Sequence, residues 1–188
     1  MPDRRLFLAS GLALLVAERV EAATPVVTAH AFRFDGIEGG SIDLAQHRGK
    51  LLLVVNTASR CGFTGQYAGL QALWTRYRAR GLTVVGVPAN DFAGQEPGSN
   101  EEILGFCSSR FGVTFPLAAK SVVLGEGAHP FYRWAAQQRP SETPRWNFHK
   151  YLIGRDGRIA AVFPTSVEPT DPRIITAIER ALVGGSGA

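Results

Sequence analysis

Cysteine is scarce in this sequence: there are two in 188 residues, Cys61 and Cys107, and they do not form the close pair used by zinc ribbons and dithiol oxidoreductases. Histidine is as thinly spread. His30, His47, His129 and His149 include no pair at the spacing that sets two imidazoles on one helix face, so a metal centre has no support. There is no glycine-rich phosphate loop and no internal repeat. Charged residues make up only 19% of the chain, and its net +4 comes from Lys and Arg scattered among acids rather than gathered into a stripe, which argues against a nucleic-acid partner. What is present is 45% hydrophobic residues, enough for one globular domain whose core needs no disulfide staple. The two cysteines are therefore free for other work.

At the N-terminus, Arg4-Arg5 precede an apolar run from Leu6 to Ala17, and the small residues Ala22-Ala23 follow. That run is too short to cross a bilayer as a helix. Its order resembles a twin-arginine export signal, which implies passage of a folded protein to a bacterial periplasm. The expected organisation is an export signal over residues 1–22 and a single domain over residues 23–188. Glu18 and Arg19 put charges close to a cut after Ala22, so an uncleaved membrane anchor or a cytoplasmic chain stays open.

Further along, Phe32 to Leu44 alternates around Gly36, Gly39 and Gly40 and reads as a hairpin. Leu51 to Val55 is a continuous apolar run, the pattern of a central strand covered on both faces. Tyr67, Leu70, Leu73, Trp74 and Tyr77 recur at helical intervals with Gly81 as a stop, and Leu82 to Val87 forms a second buried strand ended by Pro88. Ser99 and Glu102 stand in capping-box spacing ahead of a second helix containing Ile103 and Phe106. A further helix is expected over Phe131 to Gln138. Antiparallel strands flank Asp156-Gly157, and a last amphipathic helix runs from Pro172 to Val183. This order predicts an α/β thioredoxin-like fold, a central mixed sheet flanked by helices.

Cys61 falls at the C-terminal end of the first buried strand and just ahead of its helix, where backbone N–H groups and the helix dipole favour a thiolate and Arg60 adds positive potential. Position alone leaves open the other common fate of a free cysteine, a small buried hydrophobe. The surrounding stretch Asn56-Thr57-Ala58-Ser59-Arg60-Cys61-Gly62-Phe63-Thr64 resembles the segment around the attacking cysteine or selenocysteine of glutathione peroxidases. Val87 to Gly98 resembles that family's second motif, and Trp146 to Leu152 its third, in the same order. The resemblance spans Ala29 to Val183.

It implies a thiol peroxidase that needs no dissociable cofactor, with a catalytic tetrad of Cys61, Gln95, Trp146 and Asn147. Amide and indole N–H groups suit such a site because they stabilise a thiolate and hold peroxide oxygens without competing as nucleophiles. Two departures stand out: Ala89 replaces a cysteine often found in the second motif, and Asp91 replaces a commoner Gln. Asp91 is expected to be a local hydrogen-bonding variation. By the same resemblance Cys107, in Gly105 to Pro116, matches the resolving cysteine of the thioredoxin-dependent branch. That implies a Cys61–Cys107 disulfide reopened by a thioredoxin-like protein, or glutathione in its place, with local unwinding of the helix around Cys107.

Two other readings of the cysteines remain, a permanent structural disulfide and a redox relay that passes its disulfide to a client protein. The short connection from Gln137 to Arg145 lacks the loop through which glutathione-dependent members form tetramers, so a monomer with a pocket open to larger hydroperoxides is expected. His149 should turn away from the tetrad by strand alternation and be exposed.

Overall fold

The structure, a computed structural model, describes residues 26–184. The segment expected to be an export signal, residues 1–22, lies outside the described residues. Strands β1 (Arg33–Asp35) and β2 (Ser41–Asp43) form the expected hairpin, and the main sheet contains β3 (Leu51–Thr57), β4 (Leu82–Pro88), β5 (Lys150–Ile153) and β6 (Ile159–Phe163) in the order β4-β3-β5-β6. Strand β3 runs parallel to β4 and antiparallel to β5, which pairs antiparallel with β6. The sheet is thus mixed, and its two central strands are buried at every position.

Side-chain alternation along these strands divides the core in two. Leu51, Leu53 and Val55 of β3 join a cluster with Tyr67, Leu70, Leu73 and Tyr77 of α1 (Gln66–Tyr77), Ile103 and Cys107 of α2 (Asn100–Phe111), and Ile174 and Ile178 of α4 (Pro172–Val183). Leu52 and Val54 face the other way, onto Phe131, Trp134 and Ala135 of α3 (Pro130–Gln138) and Phe34 of β1. Each fully buried Leu or Val contributes about 1.5–3 kcal/mol. The unbroken apolar run 51–55 therefore anchors both layers.

The punctuation read from the sequence acts as expected. Gly81 adopts φ +100° to end the turn after α1, a conformation that favours glycine. The Ser99 hydroxyl accepts from the Glu102 N–H at 3.3 Å while the Glu102 carboxylate accepts from the Ser99 N–H at 2.7 Å, the reciprocal cap of α2. At Gly86 a Cβ would come within 2.6 Å of Leu117 Cδ2 and 3.1 Å of Phe115 Cε2, so glycine lets these side chains pack closely where Gly86 N–H bonds to Pro116 O beside the sheet.

Candidate active site

Strand β3 carries the chain to Ala58, buried throughout, and then releases it into a tight turn. Thr64 organises that turn: its hydroxyl accepts the Cys61 N–H at 3.0 Å and lies 2.7 Å from Cys61 O and 3.0 Å from Ala58 O. The turn aims the Phe63 N–H at Cys61 Sγ, 3.4 Å away, and leaves the sulfur's residue 8% exposed. Helix α1 begins only at Gln66, so this turn, rather than the helix's own first N–H groups, presents a donor to the sulfur.

The second and third motifs converge on the same turn. Ala93 (φ 54°) and Gly94 (φ 63°) reverse the chain in left-handed conformations, so that Gln95 returns with its backbone carbonyl 3.0 Å from the Arg60 N–H. Its side-chain oxygen accepts from the Asn147 amide at 2.9 Å. Trp146 packs against Phe92 with ring centroids 5.9 Å apart and touches both core clusters. Three segments distant in sequence thus bring Cys61, Gln95, Trp146 and Asn147 to one end of β3. Asp91, the replacement in the second motif, accepts from the Val123 N–H at 3.2 Å, a hydrogen-bonding role in a loop. Ala89 is fully buried in the second cluster.

Cys107 sits in α2 with no exposure, and both cysteines are free thiols. Burial pushes the Cys107 thiol up to about 11, with the Tyr67 hydroxyl opposing and the Glu96 carboxyl adding to the rise. The Tyr67 hydroxyl stands against Cys107 without a well-formed hydrogen bond. Glu96, also buried, has its carboxyl pKa raised by desolvation although Ser59 donates to it at 3.2 Å. Between the Ser59-Arg60 turn and α2 lies a cleft of about 230 Å³ that reaches Glu96, Ile103 and Phe106.

Residues 29–136 match the glutathione peroxidase family. The chain is 42% identical over 164 residues to the hydroperoxy fatty acid reductase of a Synechocystis strain, covering 82% of this chain and 96% of that protein. It is 43% identical over 135 residues to a glutathione peroxidase-like peroxiredoxin of Schizosaccharomyces pombe, covering 70% and 85%. The chain belongs to the glutathione peroxidase family. It is a thiol peroxidase, an oxidoreductase that reduces hydroperoxides. Among solved structures, T. cruzi GPX1 superposes with a TM-score of 0.66 at 31% identity, covering 86% of this chain and 100% of that one. A thioredoxin-family thiol:disulfide interchange protein from Chlorobium tepidum, at 17% identity and TM-score 0.62, covers 86% and 99% and shows the shared thioredoxin-like fold.

One expectation for this family member fails. His149 is not exposed but 5% accessible, with its ring 4.8 Å from that of Tyr151. Alternation does send it away from Phe148 and Leu152, but the opposite face of β5 is covered too, because α3 and the 139–149 connection pack there. Burial, with the Lys150 charge adding, lowers its pKa to about 4, so the ring is neutral at physiological pH.

Three polar residues that the sequence did not single out lie beside these segments. Asn56 is fully buried at the end of β3, Lys150 is fully buried at the start of β5, and Thr165 follows β6. Lys150 lay in plain view inside the third motif, but a lysine opening a strand reads as a solvated end. Its pairing opposite Val55 in the middle of the sheet is what buries it. Desolvation lowers its pKa to about 8, with the Glu168 carboxylate opposing.

Proposed function

We propose that Cys61 is the attacking thiolate and that Gln95, Trp146 and Asn147 supply the polar groups that hold the hydroperoxide beside it. The observation that carries this reading is the double engagement of Gln95, bonded through its carbonyl to the Arg60 N–H and through its side chain to Asn147. Because the Gln95 oxygen is occupied by Asn147, its own N–H groups remain to donate to a peroxide oxygen. In the first step the Cys61 sulfur attacks the distal oxygen, the O–O bond breaks, and the alkoxide or hydroxide leaves with a proton as alcohol or water. Cys61 is left as sulfenic acid.

In the second step Cys107 attacks the sulfenic sulfur, forming the Cys61–Cys107 disulfide and releasing water. A thioredoxin-like dithiol then reduces the disulfide by exchange, with glutathione as the alternative reductant. The substrates are hydrogen peroxide and organic hydroperoxides, including lipid hydroperoxides, in keeping with the fatty-acid substrate in the Synechocystis relative's name. The short connection after α3, from Arg139 to Arg145, supports a monomer and an open approach for a protein reductant. The N-terminal Arg4-Arg5 and apolar run support export to a periplasm.

Intact mass of the reduced domain after one equivalent of hydrogen peroxide, followed by peptide mapping, tests the cycle. The expected product has lost about two hydrogens as a Cys61–Cys107 bridge. Oxygen added to Cys61 with Cys107 still free would retain the attacking thiolate and remove the resolving step.

A further inference from the structure

The turn that carries the peroxide-holding groups is held from below in an unusual way. Trp146, Asn147 and Phe148 present three successive backbone carbonyls, and each is taken by a different side chain: Trp146 O by Asn56 Nδ2 at 3.1 Å, Asn147 O by Thr165 Oγ1 at 2.7 Å, and Phe148 O by Lys150 Nζ at 2.7 Å. The turn needs such support. Phe148 adopts φ 63°, a left-handed conformation that is strained for a bulky residue and is kept only where the surroundings impose it. Its N–H is also fixed, donating to Asn56 O at 2.6 Å. Thr165 is held in turn by Gln66 of α1, whose amide donates to Thr165 O at 2.8 Å.

We propose that Lys150 and Thr165, with Asn56, are positioning residues for peroxide reduction: by clamping these three carbonyls they fix where the Trp146 and Asn147 side chains stand relative to Cys61. This rests on the reading of Trp146 and Asn147 as peroxide-holding groups. The choice of lysine supports it. An ammonium is costly to bury, and an apolar side chain of similar length would fill the same place in the sheet more cheaply. What such a chain lacks is a donor for Phe148 O. The lowered pKa leaves the amine largely protonated at neutral pH, where its hydrogen bond to that carbonyl is charge-assisted. Asn56 connects the clamp to the strand that ends in the Cys61 turn, so the two halves of the site share one frame.

The test compares two reactions of Cys61 in folded protein at one pH: oxidation by hydrogen peroxide and alkylation by iodoacetamide. Both need the thiolate, so its fraction cancels in their ratio and only the handling of peroxide remains. For Lys150→Met the ratio falls about tenfold or more, since misplacement of holding groups by an ångström is costly. For Thr165→Val it falls about threefold or more by the same mechanism. A folded Lys150→Met with a wild-type ratio overturns the proposal. If that variant does not fold, Thr165→Val decides, and an unchanged ratio there overturns it equally. Asn147→Ala run alongside separates the two ideas: a wild-type ratio in Asn147→Ala sinks the peroxide-holding reading itself, whereas a lowered ratio there with unchanged Lys150→Met and Thr165→Val removes the clamp alone.

Discussion

The two cysteines lie in the same core cluster, yet their surroundings differ. Cys61 ends a strand in a turn whose geometry turns the Phe63 N–H onto its sulfur, and it keeps a small opening to solvent. Cys107 lies inside a capped helix with no exposure, beside the Tyr67 hydroxyl and within reach of the Glu96 charge, and its thiol is held well above the ordinary range. One sulfur meets a backbone donor beside a small opening to solvent, and the other is held as a buried thiol. On the proposed cycle, that difference predicts a barrier to disulfide formation in the opening of α2 and not in the chemistry of Cys61.

The largest effect expected from that contrast is at Cys61. Cys61→Ser should lower peroxide reduction by on the order of a thousandfold or more while leaving the melting temperature nearly unchanged, because oxygen replaces sulfur in a turn held mainly by Thr64. Steady-state peroxide consumption and a thermal melt check it together. A variant that stays active but loses roughly 2–5 kcal/mol of stability would instead reveal a structural staple. Asn147→Ala should cost about a hundredfold in the rate of Cys61 oxidation, the usual scale for losing one preorganised donor. Stopped-flow oxidation by hydrogen peroxide measures it.

How much of this was legible in the sequence depended on range. The buried strand 51–55, the Ser99–Glu102 cap, the Gly81 stop and the last helix were readable because propensity, periodicity and turn chemistry act within a few residues. The four residues expected to form the tetrad stood out only through family resemblance. Nothing local in Gln95 or Trp146 marks them, and the bond from Asn147 to Gln95 joins residues 52 positions apart. The burial of His149 and Lys150 was misjudged or missed for the same reason: alternation says which face a residue takes, but not whether both faces are covered. The Cys61 turn was placed correctly but its donor was not: the apolar pattern marks where α1 begins, but nothing in it shows that Thr64 folds residues 61–64 into a turn that gives the sulfur the Phe63 N–H.

A smaller effect comes from pH. Burial raises Cys107 in the folded state from the ordinary thiol value of 9.0 to about 11, so folding favours the neutral thiol. Stability from that preference is fully present below pH 9 and is lost as pH rises through 11, amounting to about 2–3 kcal/mol. Other groups titrate in the same window, so the quantity to measure is the stability difference between wild type and Cys107→Ala by urea unfolding at pH 8 and pH 11. The advantage of the wild type should shrink by roughly that 2–3 kcal/mol. A difference that stays constant would mean the sulfur is solvated in the folded state, and the contrast between the two cysteines would be weaker than burial suggests.

The finest test acts on the helix and touches neither sulfur. Ser99 caps α2 by accepting the Glu102 N–H, and Ser99→Ala removes one half of a reciprocal pair at an exposed site eight residues before Cys107. Loss of such a cap costs about 1 kcal/mol of helix stability. If Cys107 reaches the oxidised Cys61 only when α2 opens, the open population rises by about fivefold, and disulfide closure speeds up by the same factor. Oxidation of Cys61 by peroxide should not change, since the capping pair bonds to no part of the Cys61 turn. Rapid acid quench after a single peroxide addition resolves the two steps. A variant whose α2 is destabilised, as hydrogen exchange over residues 100–111 would show, but whose closure rate is unaltered would mean that Cys107 reaches Cys61 without unwinding, and the storage of the second sulfur would then have to reside in its burial alone.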